Sequence, residues 1–313
     1  MLTFKFPHSL LAILISGLSL VLCSCTKIEA PEEEPAVAFH VNICVLGNSY
    51  SNDSFSYVPF ILRQYGITSN IHIYYRSGGS LYDLDKEWNG GKDDVSHYHI
   101  DTRTDKKWQR SQGIPAKEIV SSEHWDIVSF QQSSLQVDKE NSYFPYLDNI
   151  IDRVRALCPY QLDLAWFMAY NRANNDANEE NLRVQHTIVD KMSFGLVFPV
   201  ATAVFNCQAN PVLSGMGDSE YGRMYSADNV HLQEGLPCYV AALSIVEAIL
   251  RKYSPDKTVL GDKVRPVQKW IEEIGGITPN GGAVGVTEDN CLLAQRAAVS
   301  ANDHLFEIVP AEL

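Results

Sequence analysis

The stretch that decides the fold is Val41-Asn-Ile-Cys-Val-Leu-Gly-Asn-Ser-Tyr-Ser51. Its apolar run predicts a buried strand over 42–46, and the pattern from 55 to 65 predicts a helix. A serine at the turn between them has a rigid strand before it and free helical N–H groups after it, so Ser49 is a candidate nucleophile. The alternative is that Asn48 and Ser49 only cap the helix, because both residue types are favoured N-caps.

Length and charge limit the classes of protein to consider. The chain has 313 residues, enough for one large α/β domain or two small ones. Its formal net charge is −13, whereas a nucleic-acid binder needs a basic surface. We therefore predict no nucleic-acid partner.

The first residues are predicted to be a targeting segment. The apolar run from His8 to Leu22 is too short for a comfortable membrane span. It ends in Leu22-Cys-Ser-Cys25, which resembles the lipobox of bacterial lipoproteins. This resemblance implies a lipoprotein signal peptide over 1–24 and lipidation of Cys25. Cys23 is a poorer candidate because Leu22 would occupy the cleavage position, and an ordinary secretory signal is the alternative.

Residues 25–38 are acidic and contain proline, which predicts a flexible tether. The expected location is the outer membrane of a Gram-negative bacterium, with the cell surface as an alternative. Contact with the membrane is expected through the lipid anchor alone.

From residue 39 onward, short apolar runs alternate with helical patterns. This alternation predicts one α/β domain over 39–313, with a parallel sheet covered on both faces. The polar stretch 88–112 is expected to form a surface excursion, with a hairpin as one form. The portion from about 255 is expected to be a helical extension that packs on the domain. Further strands are predicted at 71–75, 126–130, 162–167 and within 196–205, and further helices at 116–122, 146–158, 179–192, 236–253 and 287–302.

The cysteines do not suggest a metal site. Five remain after residue 25, and none has the spacing of metal ligands. Cys44 and Cys158 lie in apolar runs typical of the core. We predict at most one disulfide, no metal and no cofactor.

Polar residues follow several predicted strands, and a second polar group precedes the long helix near residue 236. Asp228 and His231 are three residues apart, so the carboxylate can hold one imidazole nitrogen while the other faces the site. A serine nucleophile needs such a base. The alternatives are that Asp228 caps a turn and that His231 is a solvated loop residue.

These motifs resemble, in order, the blocks of the SGNH (GDSL-type) hydrolases. The three blocks are Gly47-Asn-Ser-Tyr-Ser51, Ser77-Gly-Gly-Ser80 and Asp228-Asn-Val-His231. The chain looks closest to an uncharacterised exported lipoprotein branch of that superfamily. The resemblance implies a three-layer α/β/α fold with a central, mostly parallel, flavodoxin-like sheet.

The resemblance also implies roles for particular residues. Ser49 would be the nucleophile, His231 the general base and acid, and Asp228 the residue that orients His231. The oxyanion would be held by the backbone N–H groups of Ser49 and Gly79 and by a side-chain amide. The asparagine that many relatives supply for that amide is missing here, which leaves Gln131 (or Gln132). Both glutamines could instead be structural and bind neighbouring loops.

The function implied is a serine esterase that removes O-acyl groups, acetyl above all, from carbohydrate. The expected partner is an acylated glycan or another small ester. Aromatic residues in the 88–108 excursion, with His97, Tyr98 and His99, are a candidate sugar-stacking wall; a solvated insertion is the alternative. A glycan-binding lipoprotein without catalysis, or a lipase or thioesterase, remains open because a fold does not determine a function.

Overall fold

The computed structural model describes residues 39–90, 94–173, 176–210, 224–254, 286 and 288–310. These residues all belong to one compact unit of the chain. The predicted signal peptide, Cys25 and the tether lie outside the described residues, as does most of the segment between 255 and 287. Among the described residues, no helix is both long enough and apolar enough to span a membrane.

A seven-stranded mixed sheet forms the centre of the domain. Its spatial order is β4-β3-β2-β1-β5-β6-β7, and the five strands from β2 to β7 in that order run parallel. The parallel strands follow the order typical of flavodoxin-like folds, with β1 at the switch point where ligands bind. The strands are β1 (Phe39–Gly47), β2 (Ile67–Arg76), β3 (Val95–Asp101), β4 (Gln109–Gln112), β5 (Ile127–Phe130), β6 (Asp163–Phe167) and β7 (Leu196–Phe198).

Helices pack against the sheet and against one another. Helix α8 contacts α1, α2, α7 and α9, whereas α3 packs on α5 and α4 lies against β1 and β2. This arrangement confirms the predicted α/β class with a mostly parallel sheet in three layers. The helices are α1 (Ser49–Phe55), α2 (Val58–Gln64), α3 (Leu81–Glu87), α4 (Ala116–Val120), α5 (Tyr146–Leu157), α6 (Asn178–Met192), α7 (Val200–Ala209), α8 (Leu236–Tyr253) and α9 (Glu288–Asp303).

Two helices next to prolines differ from the sequence pattern. The helix expected over 55–65 is α2, which begins only at Val58, with Pro59 in its first turn, where its missing N–H costs nothing; a separate helix, α1, precedes it from Ser49 to Phe55. The strand predicted within 196–205 is β7, which ends at Phe198. Pro199 then precedes helix α7, which the sequence pattern did not predict.

The polar stretch after α3 forms a hairpin that extends the sheet. Strand β3 pairs antiparallel with β2, and β4 pairs with β3. Trp88, His97 and Tyr98 are buried, and Trp108 donates a hydrogen bond from Nε1 to the carbonyl of Ser56 at 3.1 Å. Trp88, His97 and Tyr98 of the candidate sugar-stacking wall therefore pack into the sheet and do not face solvent, whereas His99 is partly exposed.

The carboxyl-terminal helix is part of the same domain. Helix α9 packs against α7 and α8. Asn302 donates from Nδ2 to the carbonyl of Ser244 at 3.0 Å, and the N–H of Val309 donates to Asn206 Oδ1 at 2.8 Å. These bonds connect the end of the chain to the layer of helices behind the sheet.

The five described cysteines are buried, and none of them forms a disulfide. Cys158, just after α5, has its Sγ 3.8 Å from the carbonyl of Val120 in α4 and interacts with Cys44 on β1, and burial raises the pKa of the Cys44 thiol well above its usual value. Both thiols therefore behave as small core side chains.

Candidate active site

The candidate nucleophile lies at the junction between β1 and α1. Ser49 is the first residue of α1, and the side chain of Asn48 caps the helix by accepting a hydrogen bond from the N–H of Tyr50 at 3.0 Å. Ser49 is only 6% exposed. Neither its hydroxyl nor its N–H has a hydrogen-bond partner among the described residues, so both remain available to a ligand.

A network of side chains joins the loops that follow β1, β2 and β5. Asn48 donates from Nδ2 to the carbonyl of Gly79 at 2.9 Å and accepts from Gln131 Nε2 at 2.6 Å. Gln131 Oε1 in turn accepts from the Ser51 hydroxyl. Gly47 leaves room for this network, because a Cβ there would overlap Ser51 Oγ and lie 2.5 Å from Gln131 Oε1.

Apart from the Ser49 N–H, the donors predicted for the oxyanion already have partners in this structure. The N–H of Gly79 donates to the carbonyl of Arg76 at 2.9 Å, and Gln131 is engaged in the network above. Gln132 donates from Nε2 to the carbonyl and hydroxyl of Ser142, each at 3.1 Å. Both glutamines thus join loops, which is the structural alternative, and only the Ser49 N–H stands open.

Asp228 and His231 lie in a tight hairpin that precedes α8. An isolated bridge pairs Tyr225 with Leu232, and the N–H of Ser226 donates to the carbonyl of His231 at 2.9 Å. Asn229 takes a left-handed conformation at the tip, with φ of 59°. The turn therefore brings the carboxylate and the imidazole to the same side.

The carboxylate of Asp228 holds the imidazole. Its Oδ2 lies 2.5 Å from His231 Nδ1, and its Oδ1 accepts from the Ser226 hydroxyl at 2.6 Å and from the N–H groups of Val230 and His231 at 2.8 and 3.0 Å. Burial alone would raise the pKa of Asp228, but these hydrogen bonds hold it well below the usual value. Asp228 is therefore ionised and acts as both a turn cap and the partner of His231.

The hairpin lies against the residue next to the candidate nucleophile. The ring of His231 meets that of Tyr50 edge to face, with centroids 6.3 Å apart. The Nε2 atom of His231 has no hydrogen-bond partner among the described residues, and no hydrogen bond joins it to Ser49 Oγ. The structure thus places the three predicted triad residues in one region and forms one of the two triad hydrogen bonds.

Asp53 is a site residue to which the sequence pattern assigned no role. It is fully buried, and its Oδ2 accepts from the Tyr170 hydroxyl at 2.8 Å and from the N–H of Leu232 at 3.0 Å. Burial raises the pKa of Asp53 to about 6, against the opposing effects of His231 and these two hydrogen bonds. Because residue 53 is four after Ser49 on the same helix, helical spacing would have indicated it.

No metal site is visible in the part of the chain that the structure describes. No group of three or more His, Cys, Asp and Glu side chains is arranged there to hold a metal ion.

Comparison with known proteins supports the fold. A DUF4886 family protein from Bacteroides uniformis ATCC 8492 superposes with a TM-score of 0.67 at 16% identity, over 86% of this chain and 97% of that one. A Slackia heliotrinireducens protein provisionally described as an SGNH hydrolase gives a TM-score of 0.43 at 16% identity, over 67% of this chain and 99% of that one. No family model and no curated protein matches the sequence. The first similarity shows a shared fold at an identity too low to transfer an activity.

Proposed function

We propose that this protein is a serine esterase that removes O-acyl groups, acetyl above all, from carbohydrate. The observation that carries the proposal is the Asp228–His231 pair, joined at 2.5 Å, with its free Nε2 beside the helix that begins at Ser49. An ionised carboxylate on Nδ1 keeps the proton there and leaves Nε2 as a base. The resemblance to the SGNH hydrolases in motif order supports the same reading.

The proposed reaction begins when His231 Nε2 takes the proton of Ser49 Oγ as the hydroxyl attacks the ester carbonyl. The Ser49 N–H faces the developing oxyanion, and Asp228 stabilises the imidazolium. His231 then gives the proton to the departing alcohol, which leaves an acyl group on Ser49. Water, activated by the same imidazole, releases the acid and restores the serine.

The proposed reaction requires a hydrogen bond between Ser49 and His231, and this bond is not formed in the structure. Catalytic hydrogen bonds are often long in the free enzyme and tighten only with substrate. The proposal requires that the Ser49 side chain and the hairpin move until this bond forms when substrate binds. A further oxyanion donor would have to come from Gln131 exchanging its partner Asn48 for the substrate.

A carbohydrate substrate is supported by the exposed side chains near the strand ends. Among the described residues, the large apolar side chains that are exposed are Tyr82 and Leu135, at 49% and 56%. Tyr82 follows the glycine block and meets Tyr146 edge to face at 5.1 Å. Such a ring suits the face of a sugar, whereas two separate side chains offer little to a long acyl chain.

A glycan-binding protein without catalysis is the second candidate. The observation that favours it is that Ser49 and His231 are not hydrogen-bonded, since a binder has no need of that bond. The experiment below separates the two candidates.

The test is turnover of 4-nitrophenyl acetate by the purified protein, with Ser49→Ala, His231→Ala and the exposed control His186→Ala. We expect each of the first two substitutions to lower kcat by about 10³ or more, and the control to match the wild type. A rate that does not depend on Ser49 would reject the esterase. Acetylated oligosaccharides are the next substrates to assay.

The proposed location of the protein is the outer membrane, to which a lipid on Cys25 would anchor it. Incorporation of radiolabelled palmitate into the wild type, and its loss in Cys25→Ser, is the expected result. Label retained in Cys25→Ser would point to Cys23 or another site.

A further inference from the structure

An arginine with no ion-pair partner among the described residues lies at the rim of the candidate site. Arg172 belongs to the loop after β6 and is half-buried. Its Nε donates to the Ser134 hydroxyl at 3.3 Å, in the loop after β5. Among the described residues, no carboxylate lies within ion-pair distance of Arg172, and its two terminal nitrogens have no hydrogen-bond partner.

Contacts on both sides of Arg172 fix its place. Two residues before it, the Tyr170 ring stacks on that of Tyr50 with centroids 4.0 Å apart. One residue after it, the N–H of Ala173 donates to the carbonyl of Asn229 at 2.9 Å. Tyr50 follows Ser49 and Asn229 lies in the Asp228–His231 turn, so the backbone at Arg172 connects the two halves of the site.

A second arginine at the same edge of the sheet shows that Arg172 is unusual. Arg76, the last residue of β2, lies 3.0 Å from Glu87 and 2.7 Å from Asp94, which neutralise it. Arg172 has no such neighbour among the described residues, although the chain as a whole carries a net charge of −13. A cation with no carboxylate partner among the described residues, at the rim of the candidate site of an acidic protein, is suited to a ligand that brings its own negative charge.

The orientation of the guanidinium favours a particular kind of anion. Because Nε is held by Ser134, the edge formed by Nη1 and Nη2 remains, and this edge can bind two oxygens of one group. Carboxylate and sulfate both present such a pair of oxygens. We infer that Arg172 binds a carboxylate or sulfate group on the sugar that carries the ester, so that the substrate is an acidic glycan. This inference rests on the proposed esterase function and adds the substrate class.

The test compares three mono-O-acetylated methyl glycosides that differ only at C6: a glucuronide with a carboxylate, a 6-sulfated glucoside and the neutral glucoside. We expect the wild type to show a higher kcat/KM for one of the anionic substrates by about 10- to 100-fold, the contribution of a charge-assisted contact. Arg172→Gln should lose that preference, so that its kcat/KM values for the anionic and the neutral substrates become equal. Arg172→Lys, which keeps the charge but not the two-pronged edge, should retain part of it.

The matched control is Arg183→Gln, which removes the same charge from an exposed position on α6 and should keep the full preference. Equal kcat/KM for charged and neutral substrates in the wild type, or a preference that survives Arg172→Gln, would overturn the inference. The better of the two anionic substrates identifies the anion.

A binding measurement keeps the two proposals distinguishable if no ester is hydrolysed. Saturation-transfer NMR with the deacetylated glucuronide, sulfated glucoside and glucoside would then report on Arg172 alone. An anion preference that Arg172→Gln abolishes supports the anion site while the esterase proposal fails. Equal signals from charged and neutral sugars would reject both.

Discussion

At the scale of single residues, the most constrained group in the site is the carboxyl of Asp53. Through one oxygen it connects α1, the loop after β6 and the hairpin of His231, while its Oδ1 is buried and has no hydrogen-bond partner in the described part of the chain. Burial without full hydrogen bonding disfavours the charged form, which is why the pKa of Asp53 rises from 3.8 to about 6.

This raised pKa predicts the sign of a pH effect on stability. Between pH 3.8 and 6 the unfolded chain has already lost the Asp53 proton while the folded protein keeps it, so the stabilisation is present below pH 3.8 and is lost as the pH rises through 6. A shift of about two units corresponds to about 3 kcal/mol. Asp53→Asn cannot ionise, and we expect its free energy of unfolding, relative to wild type, to increase by about that amount from pH 4 to pH 7.

Urea denaturation at several pH values measures this difference. The control is Asp148→Asn, on the exposed face of α5, whose difference from wild type should show no such rise. A difference between Asp53→Asn and wild type that stays constant from pH 4 to pH 7 would contradict the buried-carboxyl account.

Sequence reasoning at this scale found side chains but not their partners. Ser49, Asp228 and His231 could be chosen because a nucleophile, a base and its carboxylate need those residue types, and the structure brings them into one region. The partners of Gln131 and Gln132 could not be foreseen, because they lie on loops whose approach depends on the packed sheet. The same holds for Arg172, which is of interest because no carboxylate among the residues that the structure describes lies within ion-pair distance of it.

At the scale of elements, helix α8 shows how one arginine neutralises a buried carboxylate. Its side chains are buried from Leu236 to Leu250, including Glu247, which is fully buried and lies 2.6 Å from Arg251 Nε. Arg251 also lies 2.8 Å from Asp303 at the end of α9. One guanidinium therefore balances a buried charge and connects two helices.

Arg251→Ala should destabilise the protein by about 2 kcal/mol or more, because it leaves the buried Glu247 carboxylate without this cation. Thermal unfolding followed by circular dichroism measures the loss. Arg183→Ala, which breaks an exposed pair with Glu180, is the control and should leave Tm unchanged. Equal Tm values for the two variants would mean that Glu247 does not need Arg251.

The elements themselves were predicted best where the pattern is long and uninterrupted. The expected helix over 236–253 matches α8 because a long apolar pattern needs no other information. Short elements next to a proline were predicted incompletely, since the local pattern does not say whether a proline ends one element or begins the next. The helix expected over 55–65 begins only at Val58, and the helix that follows Pro199 was not predicted. The pairing of β3 with β2 depends on contacts between residues far apart in sequence. The sequence therefore predicted a surface excursion over 88–112, with a hairpin as one form, but not its pairing with the sheet.

At the scale of the whole molecule, the β3–β4 hairpin that extends the sheet brings two buried histidines together. His72 on β2 and His97 on β3 are each 9% exposed, and their rings are joined by a hydrogen bond of 3.2 Å between His97 Nε2 and His72 Nδ1. Burial, with smaller effects of neighbouring histidines, lowers the pKa of His72 to about 3 and that of His97 to about 4. Both side chains are therefore neutral in the folded protein at physiological pH.

These two histidines should make the fold sensitive to acid, in the opposite sense to Asp53. Below pH 6.5 these histidines become protonated in the unfolded chain but stay neutral in the folded protein. Their contribution to the free energy of unfolding is therefore fully present above pH 6.5 and is lost as the pH falls towards 4. Each histidine contributes up to about 1.4 kcal/mol per pH unit in that window. The double variant His72→Gln/His97→Gln should remove this slope, even if it also lowers stability at pH 7.

Denaturation curves at pH 7, 6, 5 and 4.5 test this prediction, with His186→Gln on the exposed face of α6 as the control. Asp53 is present in every variant, so its contribution to the pH dependence cancels in the comparison. If the double variant loses stability in acid as steeply as the wild type, protonation of other groups unfolds the protein and the prediction is wrong.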